Sequence, residues 1–262
     1  MYGISVALGI VFLLVPALLI IVTSFDTNGI IGRLPTSANF SLRWYYSFIE
    51  DTKFTDGFVT SLIVASSCGA LTTTTGLCAS YIITRYAFRG KNLLTELLMS
   101  PTVFPGVAIG LSFMYMFIGL GLRQAVLNLI IAHVVISFPL GLRPLIAAFE
   151  TFDITIEKAA VMLGASRLRA FREVTLPDII PGFIAAYLFA FAISFDDVAV
   201  AVFLTDVHTT TFPVAMLAAF RRSVDPRVNV GCVFLFVMTV VIVFIIEKSI
   251  GLEKLVRSVY AR

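Results

Sequence analysis

Six long apolar stretches constrain this sequence more than any other feature. They run over 3–25, 57–81, 93–118, 124–142, 181–205 and 228–250. Each has the roughly 20 apolar residues that a helix needs to cross the hydrocarbon core of a bilayer. Only 13% of the residues are charged, too few to cover the outside of a globular protein. The sequence therefore predicts an all-α integral membrane protein with six transmembrane helices.

The lysines and arginines divide unequally between the connections. The smaller group, on one side of six alternating spans, is Arg33, Arg43, Lys53, Arg123, Arg221, Arg222 and Arg227. Because cytoplasmic connections carry the excess of Lys and Arg, we expect both termini in the cytoplasm. The first stretch lacks the basic start of a signal peptide and exceeds its usual apolar length, so we expect it to remain as a span.

Small and helix-breaking residues interrupt two of the stretches. Ala65 and Gly69 have a small-xxx-small spacing, Gly106 and Gly110 form a GxxxG pair, and prolines stand at 101 and 105. Small residues let helix backbones approach closely in membranes. Close packing is one interpretation of these positions, and a role in a solute pathway is the other.

The connection between the fourth and fifth stretches is too polar to span a membrane and too apolar for a solvated linker. It predicts two short helices, 154–163 and 167–173. We expect Gly164 to end the first in a left-handed turn, Ser166 to cap the second, and Pro177 to break it. This pair of helices exposes apolar and basic surface, which suits either a partner protein or an anionic lipid surface.

One part of this connection, KAAVMLGASRLRAFREVTLP, resembles the EAA loop of ABC-importer permease subunits. That pattern is Glu-Ala-Ala, three residues, Gly, nine residues, an aliphatic, one residue and Leu-Pro. The matching positions are Ala159, Ala160, Gly164, Val174, Leu176 and Pro177. Lys158 replaces the usual glutamate, and Glu157 stands one residue earlier. That replacement puts the glutamate's usual salt bridge in doubt.

The resemblance extends over about 57–250 and implies the type I ABC importer permease fold. Residues 1–56 would form an additional first helix and an outer loop, and 251–262 a cytoplasmic tail. The coupling loop would occupy about 150–178. The expected location is the bacterial inner membrane, crossed several times.

The resemblance also implies partners. The loop would dock on an ATPase, with two ATP-binding subunits, a related second permease subunit and a periplasmic or extracellular solute-binding protein in the complex. The positions it assigns to coupling are Glu157, Lys158, Ala159, Ala160, Gly164, Ala165, Ser166, Leu168, Arg169, Phe171, Arg172, Leu176 and Pro177. We expect Leu168 and Phe171 to share an anchoring face and Arg169 or Arg172 to meet acids of the ATPase.

The chain contains no GxxxxGK[ST] phosphate loop, so we expect a transporter subunit without its own ATPase site. ATP and Mg would be used by the partner, and this chain would bind no cofactor, metal or nucleic acid.

His133 lies in the fourth stretch, with no acidic or cysteine neighbour within a helical turn. We interpret it as a hydrogen-bonding group toward another helix or water. The three cysteines lie in apolar segments and are expected to be buried, inert thiols.

The fifth stretch carries SFDDVAV, with two adjacent carboxylates where a span is predicted. Neighbouring residues of a helix point about 100° apart, so Asp196 and Asp197 cannot both face one way. Either they lock helices together, or at least one of them lines a solute route with Ser194.

This region resembles the last third of spermidine/putrescine-type permeases. The matching residues are Ser194, Asp196, Asp197, Val198, Phe212, Pro213, Val224, Pro226 and Asn229. Arg227 departs from the glutamate common in that group, and with Arg221 and Arg222 it would repel a strongly cationic cargo. The resemblance implies a polyamine, with a zwitterionic, amino-acid-like amine as a close alternative, and ferric iron or an anion after these.

Two other classes remain open from the residues. An ion-coupled secondary transporter or channel also places acids within spans. It would need no EAA-like loop, and six spans without an internal repeat are unusual for one. A membrane scaffold would need no paired carboxylates inside a span.

Overall fold

The structure is a computed structural model that describes residues 2–27, 39–222 and 225–250. Its α-helices are α1 Tyr2–Thr23, α2 Arg43–Glu50, α3 Thr52–Arg85, α4 Lys91–Met99, α5 Gly106–Gly119, α6 Ala125–Thr151, α7 Ile154–Met162, α8 Arg167–Ala170, α9 Leu176–Asp196, α10 Ala201–Leu204, α11 Phe212–Arg222 and α12 Arg227–Ile250. A 3-10 turn covers Ser100–Val103, and a π-turn covers Phe171–Thr175. The predicted tail at 251–262 lies outside the described residues.

Four described helices are long and apolar enough to cross a membrane. They are Thr52–Arg85, Ala125–Thr151, Arg167–Asp196 and Arg227–Lys248. A fifth span results if the bent pair Lys91–Val103 and Gly106–Gly119 counts as one. In the first predicted stretch, the apolar segment within the described part is the shorter Leu14–Thr23. The described residues therefore form an all-helical membrane protein with four or five such spans.

The predicted span 93–118 is not one straight helix. Its two halves meet at an angle of 101°. Phe104 adopts an extended backbone (φ −86°, ψ 141°) and Pro105 precedes the first residue of α5. The residue before a proline is disfavoured in the helical region, and proline supplies no N–H to the preceding turn, so the helix breaks at this point.

The chain divides into two compact units. The first contains Met1–Thr60 and Val207–Val241, and the second contains Ser61–Asp206 and Ile242–Arg262. Aromatic rings form the described core of the first unit. Phe48 stacks on Phe54 and Phe234, with ring centroids 4.9 and 5.5 Å away, and meets Phe212 edge-on at 5.9 Å.

In the second unit, α6 and α9 pack antiparallel through small residues. A Cβ placed on Gly182 of α9 would lie 2.5 Å from the Cβ of Ala148 in α6. One placed on Gly141 of α6 would lie 3.5 Å from the carbonyl oxygen of Ala186 in α9. These two contacts, seven residues apart on α6, hold the helix backbones close together.

The small residues singled out in the sequence serve packing. A Cβ on Gly69 would lie 2.9 Å from the ring of Tyr187, and one on Gly106 would lie 2.9 Å from Ala199. Gly110 lies against the backbone of Val200, and a Cβ placed on it would lie 2.9 Å from the Cα of Val200. Close packing, the first of the two interpretations, is therefore present at these three glycines, and the second stays a prediction.

The expectation of buried cysteines is confirmed for Cys68 and wrong for Cys78, whose side chain is exposed. Cys232 is half-buried. A membrane helix presents apolar residues to lipid as well as to protein, so an apolar neighbourhood in the sequence does not imply burial within the chain.

Candidate functional site

The connection between α6 and α9, called here the coupling loop, begins with a capped helix. The carboxylate of Asp153 accepts the backbone N–H of Thr155 at 2.9 Å at the start of α7. This hydrogen bond lowers the pKa of Asp153. Gly164 has φ +99°, as predicted for the end of this helix. Ser166 accepts the N–H of Arg169 at 3.3 Å and caps the next helix, also as predicted.

The second predicted helix does not stop before Pro177. α8, the π-turn and α9 form one continuous helix, Arg167–Asp196. In the π-turn the N–H of Leu176 bonds the carbonyl of Phe171, five residues back. The wider turn inserts an extra residue just where the proline ring would meet the preceding turn, so Pro177 is accommodated.

Three exposed apolar side chains form what we call the apolar tip of the coupling loop. Met162 and Leu163 are 88% and 91% exposed, and Leu168 is 60% exposed. The EAA resemblance assigns no role to the first two, although they directly precede the glycine that turns the chain. The spacing of the motif does not show that these two side chains are exposed, and the structure does.

Charged groups surround this tip. Lys158, Arg169 and Arg172 are exposed, and Arg169 lies 3.7 Å from Glu173, one helical turn later. The expectation that Phe171 joins Leu168 on an anchoring face is wrong. The Phe171 ring packs inward, 5.6 Å from the ring of Tyr81, because the helix face it occupies is covered by α3 and α6.

Two of the matched motif residues beyond the tip belong to a packed cluster. Buried Phe149, Phe152 and Ile179 form its centre. Val174 and Leu176, both matched to the EAA pattern, pack on its edge. The motif's alanines Ala160 and Ala165 are half-buried, while Ala159 is exposed, as is Pro177. Val174 and Leu176 therefore attach the end of the loop to its own chain.

Glu157 is also held by its own chain. Its carboxylate accepts a hydrogen bond from the hydroxyl of Thr175 at 2.6 Å and lies 3.9 Å from Nη2 of Arg85. The Arg85 guanidinium lies over the rings of Phe149 and Phe152, 5.6 and 5.3 Å from their centroids. An arginine on aromatic faces beside a carboxylate is a stable arrangement for a largely buried cation.

The two carboxylates of SFDDVAV lie where α9 ends. The predicted span 181–205 is broken here, since α9 stops at Asp196 and α10 begins at Ala201. One oxygen of Asp197 accepts the backbone N–H groups of Val200 and Ala201, each at 2.9 Å. Asp197 is thus an N-terminal cap for the short helix α10, and the free N–H groups at the break explain why an acid is placed there.

A buried histidine connects this break to α6. Nδ1 of His133 lies 2.8 Å from the hydroxyl oxygen of Ser194, and Nε2 lies 3.6 Å from the capping oxygen of Asp197. The expected hydrogen bond from His133 to another helix is confirmed. This Ser–His–Asp arrangement was not visible in the sequence, because the three residues come from α6 and both sides of a break. His133 is completely buried.

Asp196 differs from its neighbour. Its side chain is exposed, and within the described residues it has no hydrogen bond or ion pair. Sequence geometry required the two acids to point apart, and the fold decides which one is held. Asp197 is held by two backbone amides, with Nε2 of His133 3.6 Å away, and Asp196 is presented outward.

Arg227, in the first unit, is held by two acids. Its Nη2 lies 2.7 Å from Asp225 and its Nη1 lies 2.7 Å from Asp51. Burial opposes ionisation of Asp225, but hydrogen bonds and charge from Arg227 outweigh it and lower the pKa of that carboxyl. Since two carboxylates compensate one guanidinium, the expected repulsion of a cation by Arg227 is not supported. Arg221 and Arg222 are exposed, and Val224 lies outside the described residues.

The chain is similar to transport permeases along most of its length. The family model described as "Binding-protein-dependent transport system inner membrane component" matches residues 73–250. The putrescine transport system permease protein PotI of Escherichia coli K12 is 30% identical over 229 residues, covering 85% of this chain and 80% of that protein. The spermidine/putrescine transport system permease protein PotC of Haemophilus influenzae is 26% identical, covering 88% of this chain and 89% of that protein.

A solved structure shares the fold. It is a bacterial alginate ABC transporter in complex with an alginate pentasaccharide-bound periplasmic protein. The TM-score is 0.69 at 13% identity, with 94% of this chain and 91% of that chain covered. The matched family model covers α3 from its middle through α12, including the coupling loop and the carboxylates. The chain therefore belongs to the inner membrane components of binding-protein-dependent transport systems, the permease subunits of ABC importers.

Proposed function

We propose that this chain forms the solute pathway of a bacterial inner-membrane ABC importer and couples it to a separate ATPase through residues 150–178. The observation that carries this proposal is the apolar tip, Met162, Leu163 and Leu168, exposed on a loop whose end packs against its own chain. Such side chains gain stability by entering an apolar groove on a partner.

The fastening of the loop favours a protein partner over a lipid surface. An amphipathic helix on lipid needs only its apolar face. Here Gly164, Ser166, the cap at Asp153 and the hydrogen bond from Thr175 to Glu157 define one conformation of the loop. A preorganised surface loses little conformational entropy when it docks, which suits a contact that must transmit force.

The proposed complex contains two ATP-binding subunits, this chain, a second and related permease subunit, and a solute-binding protein that delivers the cargo. ATP and Mg would be bound by the ATPase. This chain supplies the tip, with Lys158, Arg169 and Arg172 exposed around it to meet acidic groups of that partner.

The proposed cargo is a polyamine. Three observations support it: the names of the relatives PotI and PotC, the exposed carboxylate of Asp196, and the compensation of Arg227 by Asp225 and Asp51. An exposed carboxylate at the end of a span attracts an ammonium group by charge. An amino-acid-like amine is the second choice, and ferric iron or an anion follows.

Substitution of Gly164 tests the coupling. The complex with its ATPase and solute-binding protein would be reconstituted in proteoliposomes, with ATP hydrolysis and putrescine uptake measured together. At φ +99° a side chain is strained by about 1–2 kcal/mol. Gly164→Asp also puts a negative charge beside the tip, so we expect cargo-dependent ATP hydrolysis to be abolished while the permease still inserts.

Gly90 provides the matched control, since it also has a positive φ (+86°) and open space around it but lies outside the loop. Gly90→Asp should retain coupled hydrolysis. Normal coupling in Gly164→Asp would refute the assignment of the loop. Uptake by the permease alone, driven by an ion gradient without the ATPase, would instead identify a secondary transporter.

A further inference from the structure

A buried hydroxyl joins the coupling helix α7 to the long helix that follows. Thr175 is completely buried, and its Oγ1 donates to Oε2 of Glu157 at 2.6 Å. The two residues are 18 positions apart in the chain, on α7 and on the last residue of the π-turn. This hydrogen bond therefore fixes two helices to each other.

The direction of this hydroxyl is unusual for a helical threonine. Threonine hydroxyls in helices commonly bond the carbonyl one turn back. Thr84 and Thr151 do so, at 2.7 and 3.0 Å from the carbonyls of Ser80 and Ala147. Thr175 bonds a carboxylate on another helix instead, and a hydrogen bond to an ionised acceptor is stronger than one between neutral groups.

Arg85, the last residue of α3, holds the same carboxylate from another direction. Its Nη2 is 3.9 Å from Oε2 of Glu157, and the two side chains are only 10% and 15% exposed. The ion pair alone is long for a hydrogen bond. The short Thr175 hydrogen bond thus sets where the Glu157 carboxylate stands between α3 and the π-turn.

The helix that begins at the coupling loop leads directly to the carboxylate pair. It runs without interruption from Arg167 to Asp196. From Thr175 to Asp196 it rises about 30 Å at 1.5 Å per residue. A displacement of α7 that reaches Thr175 would therefore be carried along one continuous helix to the end of α9.

We propose that Thr175 is a positioning residue for coupling, which transmits the movement of α7 to α9 by hydrogen bonding Glu157. This inference rests on the proposed function, since it concerns how the same loop acts on the solute pathway. It assigns a role to the residue that the EAA pattern leaves unspecified between Val174 and Leu176, and it makes Glu157 an internal connection.

The test compares Thr175→Val, which removes the hydroxyl but keeps the shape, with Thr175→Ser, which keeps the hydroxyl. Thr151→Val is the control, because Thr151 is exposed and bonds its own helix. In proteoliposomes with the ATPase and solute-binding protein, putrescine transported per ATP hydrolysed would be measured. We expect Thr175→Val to lower this ratio roughly tenfold, as loss of one charge-assisted hydrogen bond implies, with the ATPase still copurifying. The Ser variant and the control should keep the wild-type ratio.

Hydrogen exchange of the α7 amides, in the complex in nanodiscs, measures the positioning without transport. Faster exchange across 154–162 in Thr175→Val, but not in Thr175→Ser, is expected. Thr175→Ala, which also lacks the hydroxyl, should act in the same direction if the Val variant folds poorly. Unchanged exchange in the variants without the hydroxyl would overturn the inference, whatever cargo the complex carries. The inference would also be overturned if Thr175→Val kept the wild-type ratio of putrescine transported per ATP in a complex whose wild type couples the two. Absence of ATP-driven uptake by the wild type, with the exchange effect present, would overturn only the proposed function.

Discussion

At the scale of single residues, the two adjacent aspartates have different surroundings. Asp197 caps α10 and faces buried His133, whereas Asp196 is exposed at the end of α9. A carboxylate that accepts two backbone N–H groups is already engaged. Asp196 retains its full capacity to accept hydrogen bonds from a solute, and it is the better candidate for the cargo contact.

This difference predicts opposite effects of substitution. Asp196→Asn should raise the KM for putrescine uptake about tenfold, because one ammonium–carboxylate contact is lost, and should leave the melting temperature unchanged. Asp197→Ala should lower stability by about 0.5–2 kcal/mol through loss of the cap, with the KM of the remaining transporter unchanged. Uptake kinetics and thermal unfolding in detergent measure both. An unchanged KM in both variants would mean that both carboxylates are structural.

At the scale of helices, the contact between α6 and α9 connects the loop to the carboxylates. Gly182 lies against Ala148 near the loop, and His133 reaches Ser194 at the other end. The two helices are therefore in contact from the coupling loop to the break after Asp196. Because close-packed interiors deform little, α6 and α9 should move as one body when the loop is displaced.

Gly182→Ala tests this contact. The added methyl would stand 2.5 Å from the Cβ of Ala148, so overpacking should cost about 1–3 kcal/mol. Gly119→Ala is the matched control, since nothing lies within 4 Å of a Cβ there and the helix gains from losing a glycine. Thermal unfolding in detergent should show a lower midpoint for Gly182→Ala only. Equal midpoints would contradict the tight packing of α6 on α9.

At the scale of the whole molecule, the family and the charge distribution bear on the cargo. Membership of the binding-protein-dependent permeases assigns the chain to import with a solute-binding partner. Within the first unit, Arg227 is compensated by Asp225 and Asp51, which removes one objection to a cation. Under the proposed function, we expect the choice among amines to depend on the solute-binding protein as well as on this chain.

Binding to that protein tests the proposed cargo. Titration calorimetry of the purified cognate protein should detect putrescine or spermidine. The same diamine should stimulate ATP hydrolysis by the reconstituted complex, while a monoamine of equal length should stimulate it less, because only one end carries charge. Preference for an amino acid would select the second proposal, and binding of an anion or ferric iron would reject the polyamine.

Some of these features are readable in the sequence because they depend on neighbours along the chain. The apolar lengths predict spanning helices, and four or five are present. The left-handed Gly164 and the cap at Ser166 are local geometry, and both are confirmed. The EAA spacing indicates the family that the comparison confirms. It is readable in the sequence because the packing of this loop depends on fixed distances along the chain.

Tertiary structure decided the remainder, for a physical reason specific to membrane proteins. Lipid and protein interior are both apolar, so the pattern of apolar residues does not tell which helix face contacts lipid and which contacts another helix. Packing turned Phe171 inward and left Met162 outward, and it brought His133 to Asp197 across 64 residues of sequence. By itself the sequence determined that the chain spans a membrane and carries an EAA-like loop. Only the fold decided which polar groups are satisfied internally, and therefore which remain for a partner or a solute.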